Sequence, residues 1–203
     1  MIALLCLSSL FPFSFMVKHG NRKYLCTFVN MKTFVIAGCG RLAGIVSEAV
    51  VKGLLPKYEL VGVYSRTVAK AERIAGRMAE AGKSCAVCTT ADELLALKPD
   101  ILVETASPAA LREFAVPALK NGTSIVTLSI GALADDAFYR EVCETAKENG
   151  TRIYIASGAT GGFDVLRTAA LMGKATARFY NEKGPDALKG TPVYEEALQK
   201  EQK

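Results

Sequence analysis

Gly38, Gly40 and Ala43 stand at a Gly-x-Gly-x-x-Ala spacing within Gly38-Cys39-Gly40-Arg41-Leu42-Ala43. A first glycine permits a tight turn, and a second lets the backbone approach a diphosphate. A small third residue lets the following helix pack closely on the preceding strand. The free N–H groups at such a helix start, those of Arg41 and Leu42 included, attract phosphate oxygens together with the helix dipole. The candidate cofactor contacts in this loop are Gly38, Gly40, Arg41 and Leu42. Taken alone, the spacing also fits an ordinary strand-to-helix turn, so its meaning depends on what flanks it.

A second group is Tyr64-Ser65-Arg66-Thr67. In a dinucleotide-binding unit an acidic residue about 20 residues after the glycines holds the ribose 2′-hydroxyl of NAD, and none stands here. Ser65 and Arg66 suit a 2′-phosphate instead, because a guanidinium can grip phosphate through two parallel hydrogen bonds. The alternative is a surface arginine without a ligand. NADP, or NADP and NAD alike, is therefore expected ahead of strict NAD use.

Cys85 and Cys88 form a lone C-x-x-C with no second pair. Zinc sites need about four ligands, and positions i and i+3 of a strand point to opposite faces, so two inert thiols are expected. Cys39 reads as a small residue filling the glycine loop, with a reactive thiol as the alternative. The single histidine is His19, which excludes most histidine-based metal sites and hydrolytic triads.

The elements around these residues follow from hydrophobic periodicity. Residues 33–37 (TFVIA) read as a buried strand, and 42–54 as a helix with apolar residues at 42, 45, 46, 49, 50 and 54. Strands follow at 60–64, 85–88, 101–104, 124–128 and 151–156, and helices at 69–81, 92–97, 108–119 and 135–148. Pro108 sits in a first turn, and Pro117 is expected to kink that helix. Strands alternating with helices at this spacing predict a Rossmann-like doubly wound α/β fold over 31–156, a parallel sheet with helices on both faces. Glu104-Thr105-Ala106-Ser107 and Ser129-Ile130-Gly131 then fall at the carboxyl edge, where a ligand crevice forms. Ala106, Ser129 and Gly131 join Ser65 and Arg66 as candidate cofactor contacts; the serines there also suit helix caps. After residue 156 a glycine-rich turn leads to a helix over 163–172, a possible strand at 175–180 and a weak helix at 194–200. Residues 157–203 read as the start of a second, incomplete α+β catalytic or dimerisation domain.

Residues 1–30 differ from the rest. The apolar run 2–17 is too short for a bilayer core of roughly 30 Å, which needs about 20 residues. Its basic residues follow the apolar run rather than precede it, unlike a signal peptide. This stretch is expected to be an extension outside the fold, a non-native start or a targeting-like segment. Lys18, Arg22 and Lys23 supply three of the five net positive charges, so the remainder lacks the basic face of a nucleic-acid binder. Half the residues are hydrophobic, enough for a sizeable core. The six cysteines are irregularly spaced, which suits a reducing, cytoplasmic setting better than a secreted disulfide scaffold. No membrane partner is expected.

From Met31 onward the chain resembles the L-aspartate dehydrogenase family. The resemblance is carried by FVIAGCGRLAG, PDILVETASPAALREFAVPALKNG, TLSIGALAD and ASGATGGFDVLRTA. It implies NAD(P)-dependent oxidation of L-aspartate to iminoaspartate, or the reverse amination of oxaloacetate with ammonia, a homodimeric full-length form and a role in NAD biosynthesis. It also implies that the segment containing Ala159 lies against the cofactor. The family's catalytic histidine and a cofactor-binding asparagine would lie beyond Lys203, so no catalytic residue is assigned here and the 203 residues are expected to bind cofactor with little turnover. Part of the sheet is expected to be missing for the same reason. The alternatives are a non-catalytic NAD(P)-binding module and another amino-acid or homoserine dehydrogenase-like enzyme.

Overall fold

A computed structural model describes residues 14–19, 22–27, 31–156, 163–173, 176 and 178. Ser14–His19 (β1) and Arg22–Thr27 (β2) pair antiparallel, with Ser14 opposite Thr27 and His19 opposite Arg22. They form a sheet of their own, separate from the main one.

The main sheet is built from six strands and their crossovers. In chain order these are Lys32–Ala37 (β3), Arg41–Val51 (α1), Tyr58–Tyr64 (β4), Val68–Glu80 (α2), Ala86–Cys88 (β5), Ala91–Ala96 (α3), Ile101–Glu104 (β6), Pro108–Lys120 (α4), Ser124–Thr127 (β7), a 3₁₀ turn at Ile130–Ala134, Asp136–Glu148 (α5) and Ile153–Ile155 (β8). All neighbours are parallel, in the order β5-β4-β3-β6-β7-β8. Counted from β3, this is 3-2-1-4-5-6, the order of a doubly wound dinucleotide-binding sheet. The expectation that strands would be missing is thereby corrected: the described residues fill all six positions.

Parallel sheets are covered on both faces, so their central strands are continuously apolar. In β3 the four residues Phe34, Val35, Ile36 and Ala37 are all buried. Their side chains alternate between two cores. Val35 and Ala37 join Leu102, Phe114, Leu119 and Val142 on the side of α4 and α5. Phe34 and Ile36 join Leu60, Val63, Ile74 and Met78 on the side of α2.

Helix α1 departs from its sequence pattern. It buries Ala43, Ser47 and Val50, whereas Leu42, Ile45 and Leu54 are exposed. The helix leaves the glycine loop tight against the sheet, where only small side chains fit. Ser47 is accommodated because its hydroxyl donates to the Gly44 carbonyl at 2.9 Å. Helix α4 continues past Pro117 to Lys120.

The chain divides into two compact units, Met1–Gly158 and Ala159–Lys203. In the second, Phe163–Met172 (α6) is the described element. The segment expected at 194–200 and Ala159 lie outside the described residues, as does the strand expected at 175–180 except for residues 176 and 178. Among the described residues no helix is long and apolar enough to cross a membrane.

Candidate functional site

The topological switch lies between β3 and β6, the strands from which the sheet is built outward in opposite directions. A crevice at the carboxyl ends of such strands is where open α/β sheets bind ligands. Three contacts tie this point together: the Gly38 N–H donates to the Tyr64 carbonyl at 2.8 Å, the Thr105 N–H donates to the Ala37 carbonyl at 2.9 Å, and the Thr105 hydroxyl donates to the Gly38 carbonyl. Gly38 has φ +100°, and a Cβ there would stand 2.6 Å from the Ala106 Cβ and 2.7 Å from its backbone nitrogen. Only glycine meets both conditions.

Gly40 is glycine for another reason. Its φ is −83°, open to any residue, and a Cβ there would meet no protein atom within 4 Å. The space beside it is the cradle that a diphosphate would fill. Gly40 is the N-cap of α1 and supplies no side-chain cap, and the first turn carries no acidic residue. The free backbone donors of that turn fit the diphosphate of a dinucleotide. Arg41 and Leu42 open α1 with exposed side chains, so what they offer is backbone N–H.

A cavity of about 250 Å³ adjoins this turn, with Gly38, Gly40, Ser65, Arg66, Lys70 and Ala106 in its wall. Tyr64 and Phe114 also line it, their rings in an edge-on arrangement 5.4 Å apart. Lys70 is not among the residues expected from the sequence. It lies in the first turn of α2, four residues after Arg66, and that spacing from a candidate phosphate ligand is the signal that points to it. The one acidic residue in the lining is Glu113, across the cavity on α4. Like α1, α2 has no side-chain cap at its N-terminus.

Cys39 is buried behind the turn, its thiol 3.4 Å from the Tyr64 carbonyl. Burial pushes its pKa up to about 11, against a smaller opposing pull from Arg73. Burial likewise pushes Cys85 up to about 12 and raises Cys88. These thiols stay protonated near neutral pH and are poor nucleophiles.

Ser107 is a cap: its hydroxyl accepts from the Ala110 N–H at 3.2 Å. Ser129 is not. Its hydroxyl donates at 3.0 Å to Glu104, the fully buried glutamate that ends β6. Gly131 sits in the 3₁₀ turn beyond it. Neither Ser129 nor Gly131 lines the cavity; both lie beyond β7, on the other half of the crevice. The sequence analysis did not single out Glu104. A glutamate closing an otherwise apolar strand, Ile-Leu-Val-Glu, was the available signal.

These features define a dinucleotide-binding α/β domain. The chain belongs to the family described as homoserine dehydrogenase, NAD binding domain, whose model matches residues 38–156. It is similar to an L-aspartate dehydrogenase from Methanococcus maripaludis, 33% identical over 136 residues, covering 67% of this chain and 49% of the relative. It is also similar to an L-aspartate dehydrogenase from Psychrobacter cryohalolentis, 30% identical over 161 residues, covering 79% of this chain and 58% of the relative. The chain thus spans about half the length of the curated relatives it matches. Among solved structures it shares its fold with GenD2 from gentamicin A biosynthesis, solved in complex with NAD. The TM-score is 0.57 and the identity 22%, with 76% of this chain and 41% of the other covered.

Proposed function

We propose that the protein is an L-aspartate dehydrogenase-type oxidoreductase using NADP, with NAD as the second choice. It would oxidise L-aspartate to iminoaspartate, or aminate oxaloacetate with ammonia in reverse. The observation that carries this reading is the uncapped start of α1, with open space at Gly40, placed at the switch point of a 3-2-1-4-5-6 sheet. The choice of aspartate rests on the two L-aspartate dehydrogenase relatives. A bound nicotinamide cofactor supplies hydride exchange with the substrate α-carbon. The chain's own residues bind and orient. The first turn of α1 holds the diphosphate, while Arg66 and Lys70 hold a 2′-phosphate with no carboxylate at Ser65 to oppose it. The Ser129–Gly131 turn borders the nicotinamide half. The reading extends to a homodimer, supported by the resemblance to L-aspartate dehydrogenases, and to the cytoplasm, which the irregularly spaced cysteines suit.

Substrate choice is tested by titrating L-aspartate or L-homoserine into the protein saturated with NADPH and following the nicotinamide fluorescence, a readout that needs no turnover. Tighter binding of L-aspartate is expected. Tighter binding of L-homoserine contradicts the aspartate assignment.

A further inference from the structure

Glu104 has no exposed surface, yet it follows three apolar residues of β6, and an apolar side chain would bury more cheaply there. What the carboxylate adds is connection. Its Oε1 accepts from the Ala106 N–H at 2.7 Å, the Ser107 N–H at 3.0 Å and the Ser129 hydroxyl at 3.0 Å. Its Oε2 accepts from the Thr127 hydroxyl at 2.8 Å and the Ser129 N–H at 3.3 Å. The Ser129 N–H also donates to the Thr127 hydroxyl oxygen at 3.0 Å. All five donors are neutral, so the arrangement fixes direction and spacing rather than balancing a charge.

The two loops joined in this way flank the crevice. Ala106 abuts Gly38, the turn where the diphosphate would lie. Ser129 stands beyond β7, on the half of the sheet that receives the second mononucleotide of a ligand bound across the switch point. We propose that Glu104 is a positioning residue that holds the β6–α4 loop and the 3₁₀ turn at a fixed separation and so orients the nicotinamide half of the cofactor. This rests on the dinucleotide reading given above. The adenine half is held by α1, Arg66 and Lys70, none of which is a hydrogen-bond partner of Glu104.

The test uses the 203-residue protein with two ligands, NADPH and 2′-phospho-ADP-ribose, the latter lacking the nicotinamide. Glu104→Gln keeps the shape but offers an amide N–H₂ where one oxygen accepted. Thr127→Val removes one hydroxyl, and because Thr127 is fully buried it can affect the ligand only through the loops. Losing a buried hydrogen bond of this kind predicts NADPH binding weaker by about three- to tenfold in Thr127→Val and by about tenfold or more in Glu104→Gln. Affinity for 2′-phospho-ADP-ribose should change by less than about twofold on the same scale. Equal losses for both ligands, or unchanged NADPH affinity in Thr127→Val, overturn the assignment. If Glu104→Gln does not fold, Thr127→Val carries the comparison. A wild-type protein that binds neither ligand instead contradicts the dinucleotide reading itself, and the proposal falls with it.

Discussion

The two halves of the parallel sheet treat their polar ends differently. On the β3–β4 side, α1 and α2 begin without side-chain caps and without acidic residues in their first turns. On the β6–β7 side, Ser107 caps α4, Asp135 caps α5 with two hydrogen bonds, and Glu104 absorbs the loop donors between them. Helix α3, at the far end of β5, is capped by Thr90. A helix start left without an internal partner loses the stabilisation a cap supplies, about 1 kcal/mol. Among the described helix starts, α1 and α2 forgo it and both begin at the cavity edge, where α4 also begins with its Ser107 cap in place. One half therefore leaves its helix-start donors without side-chain partners, and the other uses them to hold itself together.

The sharpest way to break this contrast is at the seam between the halves. Gly38→Ala places a Cβ 2.6 Å from Ala106 at a φ of +100°. Backbone strain and overpacking together predict a loss of about 2–5 kcal/mol in stability. Urea unfolding measures it, and a wild-type midpoint would show that the halves are not locked at this turn. A smaller effect is expected in the open half. Arg66→Ala should weaken NADPH binding by about 1.5–3 kcal/mol, the range for a charge-assisted contact, and leave NADH nearly unaffected. Equal weakening for both cofactors would make Arg66 a structural residue. The smallest effect belongs to the closed half. Ser107→Ala should cost about 1 kcal/mol of stability, whereas Thr67→Ala, whose hydroxyl caps nothing, should cost no more than a few tenths. Equal costs in thermal unfolding would erase the distinction between the two kinds of helix start.

The glycine turn of the open half was legible in the sequence. Gly38 and Gly40 stand out because a tight strand-to-helix turn restricts residue type at a fixed distance from a strand, and the cavity brings Ser65 and Arg66 to that turn as their position after the next strand suggests. The strand at 101–104 was also readable to the residue, being short, apolar and flanked by proline and capping residues. The closed half was less so. Glu104 takes its partners from residues up to 25 positions away, and no local pattern records such a network. The buried face of α1 was misjudged because size stood in for burial. Close packing there selects Ala43 and Ser47, while Leu42 and Ile45 face outward. Lys70 is marked in the sequence only by its four-residue spacing from Arg66, a weak sign until the cavity wall is known.

The central claim, that the open half holds a dinucleotide diphosphate, is tested most directly by titrating NADPH into the wild-type protein and into Gly40→Val. The position has an ordinary φ of −83° and no protein atom within 4 Å of a new Cβ, so the variant should fold with an unchanged circular dichroism spectrum. Its side chain would occupy the space left for the diphosphate. Saturable binding in the wild type and none in the folded variant is the predicted result, and equal affinity in the two would contradict the account.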